Sequence, residues 1–289
     1  MRTNYPDSFR DLLKNFSCLG KHNYIGQGNP NAKILIIGKE CSKSEKEMTE
    51  NNFNDWRKNC AEDITIANLP DDVTSNPLFP FKFLRYRVKG NNSPTWDGYQ
   101  TMINMFLPEE QKAKNGDAYN FWRYCFITEI SAYNLDKSYN GRFDKTAESI
   151  EERISGKGIL RHDFFQQFPI IIFAIHRYRD YYLTEKGCKI TDFMGVKKGT
   201  KDDFYYTYDG MLIPDEVYDS YEDKSSILRY NSDGLSDLNG MKKGEFINVH
   251  HSSNDKHVIL HTNHSLRNGS TLHTNAYYTT IYELCRDYV

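Results

Sequence analysis

Short polar clusters follow the apolar segments of this chain, and their residue types are those of acid–base chemistry. The clusters are Lys39 with Glu40, Glu129 with Ser131, His176, and Asn263 with His264 and Ser265. A carboxylate beside an imidazole can act as a general base and stabilise a leaving anion. Polar residues also end most ordinary strands, so the same pattern fits plain solvated turns.

Four apolar segments predict the strands that carry these clusters: 34–37, 124–128, 169–175 and 257–261. A short apolar run between turn residues is typical of a buried strand in a parallel sheet. Segments with helical periodicity alternate with the strands, at 6–16, 43–58, 95–106, 145–168, 177–185 and 274–286. The alternation predicts a three-layer α/β/α fold with a central four-stranded parallel sheet, whose carboxyl edge holds the polar clusters.

The length of 289 residues suits one α/β domain with a substantial core. Between residues 200 and 245 the strand and helix patterns weaken. Turn signals recur there, such as Asp209-Gly210 and Asp233-Gly234. We interpret this stretch as an insertion or long excursion within a single domain that spans residues 1–289.

The composition restricts the compartment and the partners. Lysine and arginine number 37 against 39 acidic residues, so net charge alone does not indicate a nucleic-acid binder. No run approaches the roughly 18 apolar residues that a membrane helix needs, and the first 16 residues lack the apolar core of a signal peptide. The six cysteines form no C-x-x-C pair, which favours reduced thiols. We expect a cytoplasmic monomer without a membrane partner.

The segment 78–87 (LFPFKFLRYR) alternates aromatic and basic side chains. Aromatic rings can stack on bases while Lys and Arg contact phosphates, so the segment suits a strand of nucleic acid. Phe79, Phe81 and Phe83 are the candidate stacking residues. The alternative is a loop that buries its phenylalanines in the core and turns its charges toward water.

Six of the nine histidines lie between His250 and His273. On a strand, His257 and His261 would share one face but stand about 13 Å apart, too far to bind one ion by themselves. We therefore expect ordinary strand and loop histidines, with no metal and no other cofactor.

Four segments resemble, in order and spacing, the motifs of the uracil-DNA glycosylase superfamily. They are 26–40 (GQGNPNAKILIIGKE), 126–129 (FITE), 168–172 (FPIII) and 258–266 (VILHTNHSL). Their order and spacing match the family over roughly two thirds of the chain. The resemblance implies a uracil-DNA glycosylase-like α/β/α fold and a hydrolase of base-excision DNA repair.

The resemblance also implies roles for individual residues. Glu40 stands where one branch of the family has a water-activating carboxylate, which would orient water at the sugar C1′. His264 would hydrogen-bond the departing base, and one of the three phenylalanines named above would stack on that base once it is flipped out of the helix. Further contacts to nucleic acid would come from Lys39, Ser42, Asn263, Ser265 and Arg267.

The chain departs from the family pattern at three places. Glu129 replaces the asparagine that reads uracil, and an ionised glutamate offers only acceptors. A uracil carbonyl facing that carboxylate would cost a few kcal/mol at a buried site, so we expect a different damaged or deaminated base. Cys41 replaces the proline after the acid, and the last motif lacks its proline. The closely spaced cysteines of the iron–sulfur branch are also absent.

Three functions fit these observations. The first is excision of a flipped, damaged or deaminated base from DNA, either single-stranded or in a damaged duplex. The second is a superfamily relative that binds nucleic acid or nucleotide without cleaving it. Such binding would depend on Lys82, Arg85 and Arg87 rather than on Glu40, and would fall steeply with salt. The third is an unrelated α/β hydrolase or transferase with similar strand ends.

Overall fold

A computed structural model describes residues 4–16, 24–42, 46–69, 76–79, 88–90, 94–135, 142–175, 204–207, 212–214, 245–251, 257–263, 267–268 and 271–289. The α-helices in these ranges are α1 (Asp7–Asn15), α2 (Lys46–Glu62), α3 (Pro94–Asn104), α4 (Arg142–Ile154), α5 (Asp163–Gln166) and α6 (Asn275–Cys285). The strands are β1 (Gln27–Gly28), β2 (Ile34–Ser42), β3 (Cys125–Leu135), β4 (Ile170–Phe173), β5 (Phe204–Thr207), β6 (Leu212–Pro214), β7 (Phe246–His251), β8 (Val258–Thr262), β9 (Arg267–Asn268) and β10 (Thr271–Leu272). None of these helices is long and apolar enough to cross a membrane.

The main sheet has eight strands in the order β1-β3-β2-β4-β8-β7-β5-β6, and β9 pairs with β10 separately. The pairs β3–β2, β2–β4 and β4–β8 are parallel, whereas β1, β7, β5 and β6 pair antiparallel. The predicted α/β class is confirmed. The sheet is mixed, however, and larger than the predicted sheet of four parallel strands. Strands β5 and β6 come from the stretch that was interpreted as an excursion, and they extend the sheet beyond β8 and β7.

Helices pack against both faces of this sheet, as a three-layer α/β/α fold requires. The register aligns Phe126 with Leu35 across β3 and β2. The Phe126 ring lies 6.0 Å from Phe9 of α1, 5.9 Å from Trp56 of α2 and 5.1 Å from Phe164 of α5, between ring centroids. Helices α1, α2 and α5 therefore cover one face.

The opposite face carries α6, which also contacts α3. Leu35 aligns with Ile171 and then with Ile259 across β4 and β8. Thr262 lies three residues beyond Ile259 and so points to the other face, because side chains alternate along a strand. The Tyr277 hydroxyl of α6 lies beside the Thr262 side chain.

Strands β2 and β3 are longer than their apolar runs predict. The apolar run 34–37 predicted the first strand, with Lys39 and Glu40 after its end. In the structure β2 continues to Ser42 and pairs with β3 at Gly38↔Glu129 and Glu40↔Ser131. The register shifts between Glu40 and Ser42. The expectation that Lys39 and Glu40 follow the strand was therefore wrong, because both lie within it. The physical reason is that β3 extends alongside, so the polar residues keep their backbone hydrogen bonds in the sheet.

The loop that precedes β2 is held in place by α2. The Asn52 side chain is fully buried, and its Oδ1 accepts from the backbone N–H of Ile25 at 2.8 Å and of Gly26 at 3.2 Å. Its Nδ2 donates to the Gly26 carbonyl at 2.8 Å, and the Trp56 indole N–H donates to the same carbonyl at 2.8 Å. One amide thus satisfies three backbone groups of the loop.

We expect Asn52→Leu to lower the free energy of unfolding by roughly 2–4 kcal/mol, because two buried N–H groups lose their acceptor. Urea unfolding measures this loss. Asn51→Leu is the matched control, because Asn51 is the exposed neighbour on the same helix, and its change should stay within about 0.5 kcal/mol. Equal losses in the two variants would contradict the assignment.

Candidate functional site

The strand order places a candidate site at the carboxyl ends of β2 and β4. From β2 the chain passes to β3 on one side, then crosses to β4 on the other side and continues outward to β8. In open α/β sheets, ligands bind at the carboxyl ends of the strands where the order reverses in this way. The reversal lies between β2 and β4, next to Gly38 and Glu40.

At this edge of the sheet, the Glu129 side chain covers Gly38. Gly38 is buried and pairs in register with Glu129 of β3. A Cβ added at Gly38 would lie 2.9 Å from Cδ of Glu129 and closer still to its Oε2. The half-buried Glu129 carboxyl group therefore lies over Gly38, on the sheet face that carries α6.

This contact predicts that Gly38→Ala changes the free energy of unfolding in opposite directions in two backgrounds. In the native chain, Gly38→Ala must displace the Glu129 carboxyl group, and we expect it to destabilise the fold by about 1 kcal/mol. In a Glu129→Ala background the space is empty, and alanine should stabilise the strand by roughly 0.5–1 kcal/mol relative to glycine. Urea unfolding of the four proteins measures the coupling. Equal effects of Gly38→Ala in both backgrounds would rule the contact out.

The other predicted contact residues are placed in part. Lys39 is half-buried within β2, and Asn263 is 5% exposed directly after β8. Ser131 is fully buried on β3, opposite Glu40. The side chains of Glu40, Ser42 and Arg267, and the whole of His176, His264 and Ser265, lie outside the described residues. The pairing of Glu40 with His264 therefore stays a prediction.

Phe79 lies away from this edge. Its ring is 1% exposed and packs edge-to-face on Trp122, with centroids 6.1 Å apart. Trp122 lies three residues before the start of β3, so Phe79 sits at the amino end of the parallel strands, where it forms part of the core. Phe81 and Phe83 lie outside the described residues.

A cavity of about 450 Å³ also opens at this amino end. Its walls include Tyr119, Trp122, Arg123 and Tyr124, and the Arg123 guanidinium lies 5.0 Å from the Trp122 ring. The volume suffices for a small molecule. It lies at the opposite edge from Glu129 and Glu40. We place the candidate active site at the carboxyl edge, because the reversal of strand order and the carboxylates are there.

Sequence reasoning missed a buried acid–imidazole pair near the carboxyl end of β8. Glu245 is 1% exposed and its Oε1 lies 3.0 Å from His273 Nδ1. The same Oε1 accepts from the Thr274 backbone N–H at 2.8 Å, and Oε2 accepts from the Thr274 hydroxyl at 2.7 Å. The only local signal was Thr274 as the N-cap of α6, since Glu245 is 28 residues away from His273 in the chain.

The described groups determine what this edge can do chemically. Glu129 supplies carboxylate acceptors on the face that carries α6. Lys39 is the neighbour of Gly38 on β2, so its side chain points to the opposite face of the sheet, and Glu40 follows it on the same strand. In the part of the chain that the structure describes, no group of three or more His, Cys, Asp or Glu residues could hold a metal ion. No family model, curated protein or solved structure matches this chain.

Proposed function

We propose that this chain is a divergent member of the uracil-DNA glycosylase superfamily and hydrolyses the N-glycosidic bond of a flipped, damaged or deaminated base in DNA. The family's four-stranded parallel sheet would correspond to β3, β2, β4 and β8. One observation carries the proposal: β2 and β8 end at the same edge, one on each side of β4. Two strand spacings, about 10 Å, separate them, which leaves room for a base between an acid on β2 and an imidazole after β8.

The proposed reaction assigns one task to each side of this gap. The C1′–N bond breaks and the base departs with the bonding electrons, while the oxygen of a water molecule bonds to C1′. Glu40 accepts the proton of that water and balances the positive charge that develops on the sugar. His264 hydrogen-bonds the departing base and stabilises its negative charge. The base must first leave the helix stack to reach both groups.

Glu129 restricts which base would fit. Its carboxyl group covers Gly38 at the carboxyl edge of the sheet. A base that enters between β2 and β4 would therefore contact this carboxyl group. An ionised carboxylate accepts hydrogen bonds and cannot donate them. Uracil and hypoxanthine both present a ring N–H beside a carbonyl. The carboxylate of Glu129 could accept from that N–H, but the carbonyl would lose the donor that an amide side chain supplies.

The test is base release from defined duplexes and single strands. Each substrate carries one uracil, hypoxanthine, xanthine or hydroxymethyluracil, and abasic sites are detected by alkaline cleavage. We expect release of at least one of these bases, and loss of that activity in Glu40→Ala. If wild-type protein releases no base from any substrate, the proposed chemistry is wrong.

The second candidate function is nucleic-acid binding without cleavage. Glu129 favours this function, because its carboxylate stands in place of the asparagine amide that would hydrogen-bond uracil. This function predicts binding that Glu40→Ala leaves unchanged, that charge removal at Lys82, Arg85 and Arg87 weakens, and that falls steeply with salt. Fluorescence anisotropy at two salt concentrations separates it from the glycosylase.

A further inference from the structure

We propose that the cavity at the amino end of the parallel strands binds a small zwitterion with an apolar side chain, such as a free amino acid. This site is separate from the candidate active site at the carboxyl edge, and it does not depend on the proposed function. Three features of the lining residues support it: a wall that is already in place, an apolar part, and opposite charges that have no partner.

Two amide side chains of α3 hold the wall of the cavity in place. Gln100 is fully buried; its Nε2 donates to Asn120 Oδ1 at 2.8 Å and its Oε1 accepts from the Asn120 N–H at 2.8 Å. Asn104 Nδ2 donates to the Ala113 carbonyl at 2.9 Å, and its Oδ1 accepts from the Ala113 N–H at 3.2 Å. Asn120 and Ala113 both line the cavity. Since these bonds fix two separate stretches of the lining, a ligand need not order them, and the entropic cost of binding is smaller.

Part of the lining is apolar. Leu69, Tyr119 and Trp122 are buried, and Ile66 and Tyr124 are half-buried beside the same cavity. The Trp122 indole N–H already donates to the Tyr119 carbonyl at 3.0 Å. The aliphatic groups and the rings therefore offer apolar surface to a ligand, which suits an aliphatic or aromatic side chain.

One cation of the lining has no anionic partner. The guanidinium of the exposed Arg123 lies 5.0 Å from the Trp122 ring, and it forms no hydrogen bond or ion pair with any described residue. Lys112 also lines the cavity, but its Nζ bonds the Glu109 carboxylate at 3.0 Å. The N–H donors of Arg123 thus remain for a ligand, in the planar fork that matches a carboxylate.

Two carboxylates of the lining also lack a cation. Glu110 and Asp117 are exposed, and neither forms an ion pair with Arg123 or with any other described cation. Asp117 Oδ2 accepts from the Lys114 backbone N–H at 2.7 Å, which leaves Oδ1 available. Opposite charges therefore line one cavity without neutralising each other. A molecule with a carboxylate for Arg123 and an ammonium group for the acids satisfies both, whereas the two acids would repel a polyanion.

Three related probes test the proposal by isothermal titration calorimetry. L-phenylalanine carries both charges, 3-phenylpropanoate only the carboxylate, and 2-phenylethylamine only the ammonium group. We expect L-phenylalanine to bind with a Kd roughly five- to tenfold lower than that of either other probe, because it alone makes both charged contacts. A Kd for 3-phenylpropanoate equal to that of L-phenylalanine would show a plain anion site and overturn the proposal. So would the absence of L-phenylalanine binding at about 10 mM.

Variants of the charged residues locate the binding. Arg123→Gln should raise the Kd of L-phenylalanine and of 3-phenylpropanoate by roughly five- to tenfold and leave that of 2-phenylethylamine unchanged. Glu110→Gln/Asp117→Asn should weaken L-phenylalanine and 2-phenylethylamine and leave 3-phenylpropanoate no weaker.

Arg57→Gln is the matched control, because Arg57 is also exposed and lies 5.6 Å from the Phe53 ring but does not line the cavity. Its Kd values should equal those of wild type. If Arg57→Gln weakens L-phenylalanine as much as Arg123→Gln does, or if Arg123→Gln has no effect, the assignment is wrong. Base release plays no part in these measurements, so their failure and the failure of the proposed function are distinguishable.

Discussion

Glu40→Gln should lower the rate of base release by roughly 10²–10⁴-fold, the usual contribution of a positioned general base. Glutamine retains the shape of the side chain but neither accepts a proton nor opposes the positive charge on the sugar. Because substrate binding does not use the proton transfer, kcat should fall while the dissociation constant for DNA stays within about threefold. Single-turnover kinetics and fluorescence anisotropy measure the two quantities.

The control for this variant is Glu62→Gln, which removes one negative charge at an exposed position at the end of α2. It should leave the rate of base release unchanged, since its charge is screened by solvent. A loss of rate in Glu62→Gln similar to that in Glu40→Gln would show that net charge, and not a catalytic carboxylate, controls the reaction. Full activity of Glu40→Gln would remove Glu40 from the mechanism.

The largest effect on stability is expected from Gly28→Ala, with a loss of roughly 3–5 kcal/mol in the free energy of unfolding. Gly28 has φ of +93°, a conformation that L side chains rarely adopt. A Cβ there would collide with the Cys125 carbonyl oxygen and lie 3.3 Å from that of Trp122. Both obstacles are backbone atoms, one at the first residue of β3 and one three residues before it, so neither can move aside cheaply.

Gly116→Ala separates the two causes of this loss. Gly116 has φ of +91°, nearly the same as Gly28, but an added Cβ would meet no atom within 4 Å. Its cost should therefore be the conformational part alone, about 1–2 kcal/mol. Urea unfolding of both variants gives the cost of the collision by difference. Equal losses would show that the close approach of Gly28 to β3 contributes nothing.

The individual strands and helices could be predicted from the sequence, because each depends on a pattern of apolar residues within a short stretch of chain. The apolar runs 34–37 and 257–261 became β2 and β8, and the helical pattern at 6–16 became α1. Burial of a strand or of one helix face depends on residues two to four positions apart. The resulting order of strands and helices was enough to predict the α/β class.

Only the tertiary structure decided the extension of β2 through Glu40, which depends on β3 running beside it. It also decided that residues 204–207 and 212–214 join the sheet, since strands with weak patterns are stabilised by the strands they pair with. The contact of Glu129 with Gly38 follows from the register between two strands, and the Glu245–His273 pair joins residues 28 positions apart. Such contacts leave no periodic trace in the sequence, because they depend on how separate elements meet in space.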